Sequence, residues 1–321
     1  MFRLAVLFGL LGLAAATGLI IWSGWAQVID ALAQAGWGIA LVALFHIIPL
    51  VISSVGWRVL IPGKNRPSLM LFIYFMWIRA AVNNLMPVAR IGGEFAAVRV
   101  MMAHGVRKNT AIAATVVELT LSIAAIFLFV AVGVLLFALQ ISDKNTAIRL
   151  AWGLVLSVPL LLALAAVQKI GFFGLLSKLF RVAFRDKWAA MAGDAARLDR
   201  AVTTLYRRRA RVIACFLLQL LAWSLGSVEI WLALKFLAHP LPLNEAMMIE
   251  ALIQGSASAA FAIPGALGVQ EAGFLVFGAM LGLPTETAAA LAVMRRCRDL
   301  ICYAPGLIAW QAHEGKRLLR P

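Results

Sequence analysis

Charged residues are scarce in this chain. Asp, Glu, Lys and Arg make up 13% of its 321 residues, whereas hydrophobic residues make up 63%. A soluble domain is about a quarter charged and about half apolar. Such low charge excludes a water-soluble enzyme, a soluble nucleic-acid-binding domain and a secreted disulfide scaffold. The composition predicts a polytopic membrane protein.

Residues suited to metal or nucleophile chemistry are also few. Cys215, Cys297 and Cys302 lie in apolar stretches without a CxxC pair, which favours small buried side chains. The four histidines are scattered without metal-ligand spacing: His46, His104, His239 and His313. No HExxH, GxSxG or P-loop motif is present. We therefore expect no enzyme activity, no cofactor and no metal, and we expect His46 to make interhelical hydrogen bonds.

Acidic residues are outnumbered by basic ones, 14 to 29, which leaves a net charge of +15. The basic residues lie in the gaps between apolar segments rather than on a soluble domain. This distribution is typical of a cytoplasmic membrane face beside anionic lipid, and it does not indicate a nucleic-acid partner.

Six apolar segments are long enough to cross a bilayer, which takes about 20 residues. They are Leu4–Trp22, Ile39–Ile61, Ala111–Leu139, Leu150–Val167, Val212–Leu237 and Thr287–Trp310. The first resembles a signal peptide in length. It lacks a clear cleavage site and is followed by Trp25 and Trp37, which favours a retained span.

Two further apolar regions, Leu69–His104 and Ala246–Gly282, are interrupted by polar residues, glycine and proline. If every base-rich loop is cytoplasmic, each region must return to the side from which it enters. We therefore predict two re-entrant hairpins, the first from the cytoplasm and the second from outside. Both chain termini are then cytoplasmic, in the inner membrane of a bacterium.

The predicted organisation is an all-α protein of six full spans and two re-entrant hairpins. Its parts are a first span with an outer loop (1–36), repeat 1 (37–140), a connecting span with a cytoplasmic helix (141–211), repeat 2 (212–311) and a tail (312–321). Within the connection, Phe184–Leu205 has apolar residues at helical spacing with basic residues between them. This predicts an amphipathic helix, either on the inner leaflet or packed against the bundle as a plain connector.

The two interrupted regions are related by a constant offset of 177 residues. Pro87, Glu94 and Gly105 correspond to Pro264, Glu271 and Gly282. The offset also relates spans to spans, so that each repeat is span, hairpin, span. An odd number of crossings between the copies predicts inverted repeats, which are typical of carriers that bind their substrate near the membrane midplane.

Several charged residues fall at predicted membrane depth, where each costs on the order of 3 kcal/mol at a helix centre. One interpretation is a polar cavity between the repeats that binds an anionic headgroup. The other is structural pairing, for instance of Arg295 with Asp299, or capping of the hairpin helices by the tip glutamates. The candidate substrate-binding residues are Arg79, Arg90, Glu94, Glu118, Glu271, Arg295 and Arg296, and the candidate hairpin-shaping residues are Pro87, Gly92, Gly93, Pro264, Gly265 and Gly268.

Three strings resemble signatures of the lysylphosphatidylglycerol synthase transmembrane region. They are MPVARIGGEFAAVRVMMAHG (86–105), AIPGALGVQEAGFLVFGAMLG (262–282) and AVMRRCRDLICYAPG (292–306). The resemblance implies a lipid-translocating bundle with two re-entrant elements. Its polar pattern falls on Arg90, Gly92, Gly93 and Glu94, and on Pro264, Gly265, Gly268, Glu271 and Arg296.

Aminoacylating members of that family continue into a soluble transferase domain, whereas this chain stops at Pro321. Aminoacyl transfer is therefore not expected. The chain also resembles a stand-alone branch associated with hopanoid biosynthesis, which implies a hopanoid or modified lipid as cargo.

The leading hypothesis is a lipid flippase driven passively or by an ion gradient, with membrane lipids as partners. Arg79, Arg90 and Arg296 would bind the headgroup, and Glu94 and Glu271 would shape the tips or couple protons. One alternative is a non-transporting accessory protein that docks a lipid-modifying enzyme. Another is a carrier of small solutes.

Overall fold

A computed structural model describes residues 25–61, 63, 66–86, 92–140, 188–260, 263 and 266–318. These residues form ten helices, with no strand among them. The helices are α1 (Trp25–Ala35), α2 (Gly38–Leu60), α3 (Leu69–Leu85), α4 (Gly92–Ala103), α5 (Lys108–Gln140), α6 (Trp188–Arg207), α7 (Arg209–Phe236), α8 (Leu243–Ala259), α9 (Val269–Met280) and α10 (Thr285–Leu318).

Three of the predicted spans coincide with helices long and apolar enough to cross a membrane. These helices are α2, α5 and α7, with 23, 33 and 28 residues. The span predicted at Thr287–Trp310 lies within α10, which has 34 residues and contains Pro305. The spans predicted at Leu4–Trp22 and Leu150–Val167 lie outside the described residues. The long apolar helices identify a membrane-embedded protein.

Each interrupted region forms two short helices, as the polar and proline-containing breaks predict. The first contains α3 and α4, and the second contains α8 and α9. Helices tend to end before a proline because its ring disfavours helical backbone in the preceding residue. The residues between each pair include Pro87, Arg90, Pro264 and Gly265, which lie outside the described residues.

The segment 24–36 was expected to be an outer loop, but residues 25–35 form the helix α1. The loop prediction rested on the lack of Lys and Arg in this segment. Its apolar residues nevertheless recur at helical spacing, as in Trp25, Ile29 and Leu32. α1 packs against α10.

The amphipathic helix of the connection is α6, and it packs against α5. Val202 and Leu205 are buried in the hydrophobic cluster formed mainly by α2–α5. These apolar side chains contact protein, which supports the prediction of a connector packed on the bundle.

The offset of 177 residues also relates the helix boundaries. α4 and α9 begin at 92 and 269 and end at 103 and 280, while α5 and α10 begin at 108 and 285. The turns that follow α4 and α9 contain Gly105 and Gly282, with φ of +85° and +79°. Glycine adopts this left-handed backbone without the strain that a Cβ would cause. The two units, α1–α5 and α6–α10, therefore share one local plan.

Helix packing repeats between the units as well. α3 contacts α10 as α8 contacts α5, and α1 contacts α10 as α6 contacts α5. The equivalent helices α2 and α7 contact each other directly. Along α2, His46, Ser53 and Ile61 contact Glu229, Gln219 and Arg211 of α7 in turn. Because the partner number falls as the α2 number rises, the two helices run antiparallel.

Candidate functional site

In the first unit, three charged side chains from three helices form one cluster. The Arg79 Nε of α3 donates to Glu94 Oε1 of α4 at 2.8 Å, and Arg79 Nη1 donates to Glu118 Oε2 of α5. The Arg79 and Glu118 side chains are 9% and 2% exposed. We call these residues the Arg79 cluster. It joins three of the predicted site residues.

Two features of α3 and α4 allow this pairing. The Asn83 Oδ1 accepts a hydrogen bond from the Gly93 backbone N–H at 2.8 Å, which ties the start of α4 to α3. A Cβ at Gly93 would lie 2.6 Å from the Asn83 Cγ, so a larger residue would push α4 away from α3. The predicted role of Gly93 in shaping the hairpin is consistent with this close approach.

Gln219 connects the Arg79 cluster to the antiparallel pair α2 and α7. Its Nε2 donates to Glu118 Oε1 at 2.7 Å, and its Oε1 accepts from the Ser53 hydroxyl at 2.9 Å. Gln219 was not among the predicted site residues, since a single glutamine in an apolar span carries no distinguishing pattern.

In the second unit, α8 and α10 are joined by a bidentate ion pair. Arg295 Nη1 and Nη2 donate to the two Glu250 oxygens at 2.6 and 3.0 Å, and Gln254 Nε2 donates to Glu250 Oε1 at 2.7 Å. Both charged side chains are buried. The arrangement leaves little guanidinium surface for a ligand.

Glu271 on α9 has two partners. Its Oε1 accepts from Arg296 Nε at 2.6 Å, and its Oε2 accepts from the Gly268 backbone N–H at 2.8 Å. The second bond caps the start of α9, as predicted for a tip glutamate. Gly268 has φ of +80°, which a residue with a Cβ rarely adopts.

Arg296 differs from the other paired arginines in its exposure. Its side chain is 23% exposed, against 9% for Arg79 and Arg295 and 5% for Arg298. Among these four arginine side chains it is therefore the most exposed, while its Nη2 atom is buried.

Arg295 and Asp299 do not form the ion pair that was predicted for them. Arg295 reaches across to Glu250 on α8, while Asp299 contacts Arg298 at 3.1 Å and Arg296 at 3.6 Å. Spacing of i, i+4 places two side chains on one face of a helix, but each then takes the partner that the neighbouring helices provide.

A further group, absent from the predicted site, lies where α2, α7 and α10 meet. His46 Nδ1 lies 2.7 Å from Glu229 Oε2, and His46 Nε2 lies 2.6 Å from the Tyr303 hydroxyl. Arg298 Nη1 lies 2.9 Å from Glu229 Oε1. We call His46, Glu229, Arg298, Asp299 and Tyr303 the junction network. The interhelical hydrogen bonds expected for His46 are confirmed.

The Arg79 cluster and the junction network lie at different levels of the bundle. On α2, Ser53 contacts the Arg79 cluster through Gln219, and His46, seven residues before Ser53, belongs to the junction network. On α7, the corresponding residues Gln219 and Glu229 are ten residues apart. At 1.5 Å per residue, the separation along the helices is about 10–15 Å. Glu94 and Glu271, whose side chains are 12% and 4% exposed, both lie inside the protein.

A basic cavity of about 500 Å³ lies where α5 begins, beside α6. It is lined by Arg107, Lys108, Asn109, Thr110 and Arg197. Its charge agrees with the base-rich loops that were assigned to the cytoplasmic face.

The ion pairs and long apolar helices define a helical membrane protein with charge buried between its helices. Residues 9–306 match the family described as Lysylphosphatidylglycerol synthase TM region, and the chain belongs to this family. The match confirms the resemblance of the three strings and relates the chain to lipid handling. No curated protein and no solved structure matches it.

Proposed function

We propose that this protein is a lipid transporter of the bacterial inner membrane. It would move a phospholipid, a modified phospholipid or a hopanoid with a polar or anionic headgroup from one leaflet to the other. The observation that carries the proposal is a pair of equivalent units, each with charged residues at its interrupted helices.

The antiparallel packing of α2 and α7 supports an inverted repeat. These helices are equivalent in the two units, and both have the length and composition of spans. If two equivalent spans run in opposite directions, their units are inserted in opposite orientations. Such units can exchange inward- and outward-open states by moving against each other.

The short helices support a path for a polar headgroup. α4 and α9 have 12 residues each, too short for full spans, and α3 and α8 have 17 each, fewer than the roughly 20 that a span usually takes. Chain breaks at membrane depth are tolerated where they line a protein-walled cavity. We propose that the two pairs form re-entrant hairpins.

Within this path, Arg296 is the first candidate to contact an anionic headgroup because of its exposure. Arg79 and Arg295 would act through the ion pairs that fix the hairpins against the long helices. The Glu94 Oε2 is buried without a hydrogen-bond partner among the described residues. This oxygen, at the tip of the first hairpin, can therefore accept a further hydrogen bond. Arg90 remains a predicted headgroup contact.

The direct test is translocation of a fluorescent phospholipid in liposomes that contain the purified protein. Wild type is compared with Arg296→Gln and Glu271→Gln, and with the matched controls Arg200→Gln and Glu286→Gln, whose side chains are exposed on α6 and α10. We expect the site variants to lose most of the activity and the controls to keep it.

Equal rates in wild-type and protein-free liposomes, for a phospholipid and for a hopanoid probe, would reject lipid transport. Full activity of Arg296→Gln would reject the assignment of the headgroup contact. A stable complex with a lipid-modifying enzyme, together with no translocation, would favour the accessory-protein hypothesis.

A further inference from the structure

The junction network is buried where the two units meet, and the transport proposal above assigns it no role. His46 comes from α2 of the first unit, while Glu229, Arg298 and Tyr303 come from α7 and α10 of the second. The equivalents of His46, Glu229, Arg298 and Tyr303, at the offset of 177, are Trp223, Ile52, Leu121 and Ile126. The equivalent positions therefore do not form a second copy of the network.

Both nitrogens of His46 have oxygen partners from different helices. A protonated imidazole has two N–H donors, and here the Glu229 carboxylate and the Tyr303 hydroxyl oxygen would accept both. A neutral imidazole has one donor and one acceptor, and the Tyr303 hydroxyl oxygen can accept from the donor nitrogen. Arg298 Nη1 also lies 2.5 Å from His46 Nδ1, so Nδ1 accepts from Arg298 in the neutral state and can donate to Glu229 in the protonated state only when Arg298 moves away. Both protonation states thus have hydrogen-bond partners, and the change between them requires a movement of Arg298.

The ion-paired residues on the surrounding helices carry one more negative charge than positive charge. Among the ion-paired residues that the structure describes in the second unit, four buried carboxylates, those of Glu229, Glu250, Glu271 and Asp299, face three guanidinium groups, those of Arg295, Arg296 and Arg298. A proton on His46 balances this set. Uncompensated charge is costly at membrane depth, so the extra carboxylate favours binding of a cation here.

The groups around His46 act in opposite directions on its proton. Glu229 on α7 and Asp299 on α10 place negative charge at the network, while Arg298 on α10 places positive charge beside His46 Nδ1. From α3 and α5, the charged groups Arg79 and Glu118 belong to the cluster about 10 Å farther along α2. A site with opposing influences of this kind gains or loses its proton when its neighbours shift.

Two of the helices at this junction contain a proline close to the network. Pro49 lies inside α2, three residues after His46, and Pro305 lies inside α10, two residues after Tyr303. Proline removes a helical hydrogen bond and favours a kink. A change in the angle between α2 and α10 would alter the distances from His46 to Tyr303 and Arg298.

We infer that His46 is a proton-binding site that couples lipid movement to the transmembrane proton gradient. The inference rests on the proposed transport function, for which it supplies the energy source. When the units move against each other, His46 exchanges its contacts with Glu229, Arg298 and Tyr303 and takes up or releases one proton.

The test uses liposomes that contain the full chain, a fluorescent phospholipid and an internal pH indicator. Wild type is compared with His46→Gln, which keeps one donor and one acceptor but takes no proton, and with His104→Gln as the control outside the network. With one proton per lipid, each unit of pH difference shifts the leaflet ratio of the lipid by up to about tenfold.

We expect a gradient-driven shift with wild type and His104→Gln, accompanied by proton movement. With His46→Gln we expect neither, while translocation without a gradient continues. A full response of His46→Gln to the gradient would overturn the proton coupling and leave lipid transport intact.

A second measurement tests the proton site independently of lipid transport. Nuclear magnetic resonance of ¹⁵N-histidine-labelled protein in detergent follows the imidazole directly, and the His46→Gln variant assigns its signal. We expect one reversible protonation of the His46 imidazole within the pH range in which the protein stays folded. An imidazole that does not titrate there would overturn the inference. A titrating His46 in a protein that moves no lipid would support the proton site and reject the proposed transport.

Discussion

At one equivalent position the two units carry buried charges of opposite sign. Glu118 on α5 and Arg295 on α10 are equivalent at the offset of 177, and each is paired with the first short helix of its own unit. In the first unit that helix supplies the cation, Arg79, and in the second it supplies the anion, Glu250. In both units a buried ion pair therefore joins the first short helix to the long helix, and the side chains determine which of the two helices carries the positive charge.

The units differ more strongly in the number of their charges. Around the Arg79 cluster one guanidinium lies between two carboxylates, whereas α10 carries Arg295, Arg296, Arg298 and Asp299 within five positions. The second unit thereby gains both the accessible Arg296 and the junction network. We therefore expect the second unit to provide the headgroup contact and the coupling, and the first to provide a fixed partner.

The largest effect is expected from breaking the bidentate pair of the second unit. Arg295→Met leaves the buried Glu250 carboxylate without its charged partner, which costs about 3–5 kcal/mol in the free energy of unfolding. Denaturant titration of the protein in detergent measures this loss. In the double variant Glu250→Gln, Arg295→Met most of the stability should return, because no lone charge remains. A single variant as stable as Arg200→Met would contradict the account.

The next effect concerns the closeness of the two helices in the first hairpin. Gly93→Ala should cost about 1–3 kcal/mol, because the added Cβ overlaps Asn83 and the backbone of α3. Gly273→Ala on α9 is the matched comparison, since a Cβ there would have its nearest contact at 3.4 Å, an ordinary packing distance. Thermal unfolding should separate the two variants, and equal losses would show that the hairpins do not differ in packing.

The smallest effect on stability is expected from Glu271→Gln. Glu271 is buried, but Arg296 is partly exposed and also lies near Asp299, so the loss of one charge-assisted hydrogen bond should cost about 1 kcal/mol. The same substitution at Glu118, which lies deep in the first unit, should cost more. The ratio of the two losses, measured by denaturant titration, sharpens the difference between an accessible pair and a fixed one.

Hydrophobic length predicts much of this fold. α2, α5 and α7 follow from runs of apolar residues, and the breaks within the hairpins follow from their glycine, proline and polar residues. α1 was missed because the absence of basic residues was interpreted as a loop. The constant offset found in the sequence also relates the starts of α4 and α5 to those of α9 and α10, since the two units share a local plan.

The partners within the site were harder to predict. Glu94 and Glu271 stand out because they belong to repeated strings, and Glu271 caps its helix as expected. Arg296 stands out because it lies in an arginine-rich span that resembles a family signature. The antiparallel contact of α2 with α7, and the packing of α10 beside them, determine the partners of Gln219, Glu229 and Tyr303. Which helices are neighbours is a property of tertiary packing that periodicity along one chain does not contain.

The proposed transport requires that the two units are inserted in the membrane in opposite orientations. Lys108 and Thr285 are equivalent residues at the starts of α5 and α10, and both are exposed. Each is replaced by cysteine in a protein whose three native cysteines are changed to alanine, and intact cells are treated with a membrane-impermeant maleimide. The account predicts that Thr285→Cys reacts from outside and that Lys108→Cys reacts only after the membrane is permeabilised. Labelling of both from the same side would contradict it.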